Sequence, residues 1–439
     1  MVRRLLLAGI VLYLTVGPPS IGVQADEPAD RLAALAPAIE RNLRRNVIPF
    51  WFPRSVDRTH GGYLIHHGPD GEPLAGGTKA IVTQARTLWL ASRLLRSGFA
   101  QPSLREAADA GFRFLRDRMW DAEHGGFFWE VDLAGATVLR ADKHLYGQAF
   151  GLFALAEYSR ATGRADARSL ADRLFALIDS HAHDAVYGGY REALAREWSA
   201  LPPGAATYLG PPADLKSMNT HLHLMEALTT YVRAGAPPLA RTRLAELVAI
   251  QSQAVIRKPW MASTDRHRRD WTPVLDESAR VSYGHDLENI WLIVDALRAL
   301  DQPTAPYHDL FRAVFESARR HGFDEGAGGF FESGVPGASA DRRTKIWWVQ
   351  AEALVSALTM FELTDEPQYV DVFARTWEFV DRTQTDWRFG EWHEAVGPDG
   401  QPRGNKAHAW KAGYHNGRAL IEAGGRIRLL AGGTGRRSH

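Results

Sequence analysis

The chain has 439 residues, with 52 basic against 51 acidic side chains and no cysteine. Nucleic acid or an anionic membrane surface would require clustered Lys/Arg, and no basic stripe interrupts this balance, so neither is expected as a partner. The lack of cysteine removes disulfides, thiolate nucleophiles and thiolate metal sites together.

The first element in chain order is a candidate secretory signal peptide, residues 1–25. Arg3 and Arg4 precede an apolar run from Leu5 to Val16, and Val23-Gln24-Ala25 offers small residues at the cleavage positions. A dozen apolar residues fall short of a membrane span. The expectation is a periplasmic or secreted protein that begins near Asp26 and has no stable membrane span after cleavage. The remaining length would suggest two or three domains. However, no Pro/Ser-rich linker, charge run or low-complexity tract divides it.

What runs through residues 26–439 instead is a repeat. HGGY (60–63), HGGFFWE (124–130), YGGYRE (187–192), GGFFES (328–333) and FGEWHE (389–394) recur, with a degenerate copy near Trp260–Asp270. Neighbouring copies lie roughly 60 to 70 residues apart, an interval typical of repeat architectures. Each copy leads into a helix whose first turns are polar and aromatic: TKAIVTQAR (78–86), DKHLYGQAF (142–150), LKSMNTHLH (215–223), YGHDLEN (283–289), TKIWWVQAE (344–352) and WKAGYHNGR (410–418).

Plainer amphipathic helices fall between them, near 31–48, 103–119, 166–181, 238–256, 307–321 and 367–382. In 103–119, Leu104, Ala108, Phe112, Leu115 and Met119 make an apolar stripe, and Ser103 with Glu106 matches a capping box. The decorated helices, near 81–96, 146–160, 219–232, 285–299, 347–361 and 413–430, are apolar nearly all round beyond their first turns. Twelve helices alternating outer and inner predict a single-domain (α/α)6 barrel, because each unit packs on its neighbours. Loop 125–142 predicts a β-hairpin turning at Ala134-Gly135, so strands should be few and confined to the face holding the inner N-termini.

That face carries the chemistry. Asn219 and His223 are four apart and share a helix side, while His221 points away from His223. An HxH pair diverges on a helix and no HExxH spacing occurs, so no metal is expected. His285 lies three residues before Glu288, and contact between them would orient the imidazole and raise its basicity. His415 begins the last inner helix, and Arg86 sits one turn into the first. Three histidines, an arginine and carboxylates around an aromatic bowl suit proton transfer α to a carbonyl. Such a reaction needs a base, a cation for the growing oxyanion, and an acid that returns the proton. An imidazole titrating near 6.5 fits both proton roles.

MNTHLHLMEAL (218–228), YGHDLENIWL (283–292), KIWWVQAEAL (345–354), GEW (390–392) and WKAGYHNGRAL (410–420), in that order, resemble the cellobiose 2-epimerases within the N-acylglucosamine 2-epimerase superfamily. The resemblance covers essentially all of 26–439. It implies reversible C2 epimerisation of the reducing-end glucose or mannose of β-1,4-linked disaccharides, without a cofactor, on a small oligosaccharide substrate. By matching motif, His285 and His415 are the implied acid/base pair. His223 and Glu288 assist ring opening and hold neighbouring imidazoles, and Arg86 stabilises charge on substrate oxygens. Tyr146 and Asn219 bind hydroxyls, Trp347 and Trp348 cradle the reacting sugar with Glu352 nearby, and Trp410 stacks on the next ring.

The chain departs from the family pattern at Ala412-Gly413, His408-Ala409 and His393, all near the implied second-sugar region. Alternatives are an N-acylglucosamine 2-epimerase or mannose isomerase acting on monosaccharides, an (α/α)6 glycoside hydrolase, and a non-catalytic glycan-binding protein. A hydrolase would set Asp286 with Glu288 or Glu352 about 5 to 9 Å apart across a glycosidic bond and leave three histidines unused. A monomer is expected.

Overall fold

The computed structural model describes residues 27–431 except 100, 211, 277 and 278, so the candidate signal peptide lies outside the described residues. Proline opens four of the outer helices: α1 (Pro28–Asn42), α3 (Pro102–Phe114), α7 (Pro238–Ala249) and α11 (Pro367–Phe379). Its fixed φ suits the first helical position, where a missing N–H costs nothing. The capping box expected at Ser103 and Glu106 does not form. Pro102 starts α3, Gln101 occupies the cap without a side-chain bond, and Ser103 is already inside the first turn. The other outer helices are α5 (Ala165–Ala182) and α9 (His308–Gly322).

The inner helices are α2 (Ile81–Arg96), α4 (Leu145–Thr162), α6 (Met218–Arg233), α8 (Tyr283–Ala299), α10 (Trp347–Thr364) and α12 (Tyr414–Ala431). They are buried on nearly every side, as their unbroken apolar character requires. In α4 every residue from Leu145 to Tyr158 is buried, and the helix stops at Gly163 in the left-handed conformation. Inner helices pack side by side, with α12 returning against α1 and α2, and an outer helix backs each one. These twelve helices form the (α/α)6 barrel.

The Gly-Gly motif now has a physical explanation. Four residues before the first glycine stands an aspartate whose carboxylate meets a buried lysine. The pairs are Asp57–Lys79 at 2.8 Å, Asp121–Lys143 at 3.0 Å, Asp184–Lys216 at 3.1 Å, Asp324–Lys345 at 2.8 Å and Asp386–Lys406 at 2.7 Å. The next strut comes from the inner helix. Gln84, Gln148 and Gln350 each bond both the N–H and the C=O of the residue after the glycines: Tyr63, Phe127 and Phe330. In the third unit His221 takes the glutamine's place, accepting from Tyr190 N–H at 2.8 Å. Its role is therefore to hold a loop, and it points away from His223. A side chain at Gly189, where φ is +72°, would strike His221 and Trp271. The degenerate fourth unit lacks the glycines and has Val281 where a lysine would stand. There Asp286 occupies the glutamine position and accepts from Ser263 N–H at 2.7 Å.

Short strands stitch one unit to the next. Lys79–Ala80 pairs with Glu130–Val131, which pairs with Val138–Arg140. Gly135 takes a positive φ in the connecting turn, as the hairpin reading requires. Equivalent three-stranded sheets precede α8 and α10, and a bridge between His67 and Ala407 joins the first unit to the sixth. All this strand structure lies on the face with the inner N-termini. Among the described residues no helix is long and apolar enough to cross a membrane.

Candidate active site

Six inner N-termini converge on one bowl, placing partial positive charge around its axis. Side chains from the first two turns of these helices form its floor. His415 Nδ1 lies 2.6 Å from Glu352 Oε1, and His223 Nδ1 lies 3.0 Å from Glu226 Oε2. A carboxylate at Nδ1 fixes that nitrogen as the donor, and Nε2 has no hydrogen-bond partner among the described residues. Trp348 lies against two of the imidazoles, its ring centroid 4.7 Å from His285 and 5.7 Å from His415. Trp347 flanks His415 at 6.4 Å, and its buried Nε1 has no hydrogen-bond partner among the described residues. On the opposite wall Tyr146 stands edge-on to His223 at 5.1 Å. Arg86 ties that wall together, donating to Tyr146 Oη at 2.9 Å and to the Trp410 carbonyl at 2.8 Å.

Beneath the imidazoles lies Arg418, which the sequence reading passed over. Its guanidinium donates to Glu288 at 2.9 Å, to Glu352 at 2.7 Å, and also to Glu226 and the Tyr414 hydroxyl. Three buried carboxylates thus share one buried arginine. The partners were within reach of sequence reasoning: Arg418 follows His415 by three and Glu226 follows His223 by three, the spacing of helix neighbours. Both sit one turn below the helix openings that drew attention.

Two expectations need correction. The His285–Glu288 contact does not form, because Glu288 is engaged by Arg418, which comes from a helix 130 residues later. Among the described residues His285 makes no hydrogen bond, and its orientation comes from Trp348. Glu352, expected near the sugar, has both oxygens occupied by protein, accepting from His415 and Arg418 at one and from Trp291 Nε1 at 2.8 Å at the other. It positions His415. Asn219 sits one turn before His223 on α6, with its backbone N–H on Asp265 and its buried Oδ1 unpartnered. Among the described residues its hydrogen bonds do not reach the other candidates. Trp410 lies at the rim, 6.2 Å from Tyr146.

Protonation follows from this crowding. Burial pushes His285 down to about 3, with His223 adding to the fall and Glu352 opposing it. Burial likewise holds His415 well below the usual imidazole range, reinforced by Arg86, Arg418 and His223. His223 is lowered by burial against the pull of Glu226. All three therefore rest neutral, below the value near 6.5 expected for a free imidazole. Neutral rings are ready to accept a proton, and an imidazolium destabilised by its surroundings returns it readily. Burial and Glu352 raise Glu288 well above the carboxylate range, although Arg418 pulls it down. Burial raises Glu226 too, but Arg418 and His223 outweigh it and the net shift is downward.

Ligand atoms of Glu288, Glu352 and His415 lie within 4.8 Å of one another, the dimensions of a metal site. Arg418 already donates to both carboxylates, so a cation there would have to displace a guanidinium from the same oxygens.

The sequence profile described as N-acylglucosamine 2-epimerase matches residues 62–419. The chain belongs to the N-acylglucosamine 2-epimerase family. It is 30% identical over 388 residues to the cellobiose 2-epimerase of Bacteroides fragilis, covering 88% of this chain and 97% of that one. The solved cellobiose 2-epimerase of Spirochaeta thermophila superposes with a TM-score of 0.83 at 34% identity, over 92% of this chain and 98% of the other. A D-mannose isomerase of Marinomonas mediterranea is 25% identical over 388 residues, covering 85% and 93%. As a member of this family the chain is a carbohydrate epimerase or isomerase, cellobiose 2-epimerase-like, with a sugar as substrate. The helical ring with its small hairpins is the fold of these relatives.

Proposed function

We propose that the protein inverts C2 of the reducing-end glucose or mannose in β-1,4-linked disaccharides, interconverting cellobiose and 4-O-β-glucosyl-mannose or the mannobiose pair. The observation that carries this reading is the placement of His285 and His415 on one tryptophan, both neutral at rest. The sugar opens to its aldehyde, helped by His223 and by Glu288, whose carboxyl is raised well above the usual range by burial and Glu352. One imidazole then takes the C2 proton, and the C–H electrons form the C1=C2 bond of an enediolate with negative charge on O1. Arg86 and the inner-helix N-termini oppose that charge. The second imidazole, protonated by the hydroxyl proton released from O1 when the ring opens, delivers that proton to the other face of C2. The enediolate collapses to the epimeric aldehyde, and the first imidazolium gives up its proton to O1 as the ring closes. Glu352 and Glu226 hold His415 and His223 by Nδ1 throughout.

The aromatic rim supports a substrate longer than one ring. Trp410 lies beyond Tyr146, where a second sugar would extend from the reacting one. The N-terminal pattern of arginines and apolar residues supports action outside the cytoplasm. The experiment is incubation with cellobiose in D2O, followed by NMR. The expected product is 4-O-glucosyl-mannose carrying deuterium at C2. Free glucose without epimer would indicate hydrolysis, and turnover of mannose alone would indicate a monosaccharide isomerase. Either result overturns the reading.

A further inference from the structure

The third unit carries a longer connection than its neighbours between its hairpin and its inner helix. Residues 201–215 read LPPGAATYLGPPADL. The base of this excursion is pinched shut, with Ala213 N–H on Ala205 C=O at 2.9 Å and Gly204 N–H on Asp214 Oδ1 at 2.8 Å. Beyond the pinch Tyr208 reaches over the rim to the sixth unit. Its ring stacks on Trp410 at 5.6 Å with an interplanar angle of 28°, and it meets Trp129 at 4.9 Å. Arg140, from the second unit's hairpin, lies 4.6 Å above the same ring. Tyr208 is nonetheless 36% exposed, which is unusual for an aromatic held on three sides.

A pyranose sandwiched between two aromatic faces needs van der Waals contact on each side, so the rings would stand about 7 to 8 Å apart. At 5.6 Å no sugar fits between Tyr208 and Trp410. The tyrosine therefore covers one face of the Trp410 indole. We infer that Tyr208 is a specificity-determining residue, a ring of this chain that covers one face of Trp410 and must leave it before a second sugar can stack there. The inference rests on the disaccharide reading. A sugar confined to the floor around His285 and His415 does not meet Tyr208, so the cost of moving it falls only on substrates that reach the rim.

The test compares wild type, Tyr208→Ala and Tyr208→Phe, with cellobiose followed by NMR and glucose and cellobiose binding by calorimetry. A stacked aromatic pair is worth a factor of about two to ten in an equilibrium. Tyr208→Ala should therefore lower KM for cellobiose by about two- to tenfold with kcat unchanged. Glucose binding should not move, and Tyr208→Phe, which keeps the stack, should match wild type. A raised KM in Tyr208→Ala would overturn the inference, because the tyrosine would then hold the sugar. Unchanged KM in two active proteins, or a loss of kcat shared by every substrate, would also overturn it while leaving the disaccharide reading standing. Wild type that acts on monosaccharides alone would refute the disaccharide reading and this inference together.

Discussion

Replacing Glu352 with glutamine separates the positioning of the proton-transfer machinery from the binding of sugar. The carboxylate is fully buried, 2.6 Å from His415 Nδ1 and 2.7 Å from Arg418, and its second oxygen accepts from Trp291. Glutamine keeps the shape but loses the charge, and its amide N–H2 must face one of these donors. Arg418 retains Glu288 and Glu226, so the buried guanidinium is not orphaned. A hydrogen bond to a charged group contributes about 1.5 to 3 kcal/mol. Losing it only where His415 gains a proton lowers kcat by about ten- to a hundredfold, at about 1.4 kcal/mol per tenfold. KM for cellobiose should change little, because no Glu352 oxygen is left for substrate. Glu352 is also the group that holds His285 up, so the rate limb set by His285 should shift to lower pH. Initial rates by NMR with a melting curve alongside check this. A folded variant with near-normal kcat, or with raised KM and intact kcat, would refute the positioning role, the latter by returning Glu352 to the sugar.

His285→Ala and His415→Ala should each lower turnover by about a hundredfold to ten-thousandfold with melting unchanged, the range associated with a general acid or base. Near-normal deuterium incorporation at C2 in either would remove that histidine from the pair. Lys79→Met leaves Asp57 buried without its cation and should cost about 3 to 5 kcal/mol, read as a lower urea midpoint. Lys79→Met combined with Asp57→Leu should recover part of it. Burial raises Asp286 to about 7 from an ordinary 3.8, so the folded state keeps a proton that the unfolded chain releases. That contribution is complete below 3.8 and is lost as pH rises towards 7. Asp286→Asn should therefore gain on wild type in melting temperature between pH 4 and 7, and parallel curves would show that Asp286 is not the group responsible. Treatment with a chelator should leave activity unchanged, since Arg418 already neutralises Glu288 and Glu352, and a large loss would place a cation there.

The twelve helices were legible because their signals are local. Apolar periodicity, a proline at the start and a glycine at the end depend on neighbours in sequence. The position of His223, His285 and His415 at the inner-helix openings was legible for the same reason, as polar residues on helices otherwise apolar all round. Partners brought by ring closure were not. Glu288 looked like a companion of His285 because they are three apart, but Arg418 arrives from the sixth unit and takes it. Ser103 and Glu106 carry the letters of a capping box, yet Pro102 one residue earlier fixes the helix start and moves both inside. Tyr208 gave no signal, because an aromatic in a Pro/Gly-rich stretch reveals nothing about which distant ring it will meet.

The lysine–aspartate struts behind the Gly-Gly loops carry a consequence for how such a ring can change. Each ties a loop within its own unit, so this part of the rim's support is independent of the side chains that line the bowl. A unit can exchange those residues that bond neither its loop nor Arg418 without disturbing the scaffold beneath the other five. Substrate preference in this architecture is therefore modular: a new sugar can be accommodated by rewriting a single segment, such as the excursion bearing Tyr208, while the proton-transfer floor stays in place.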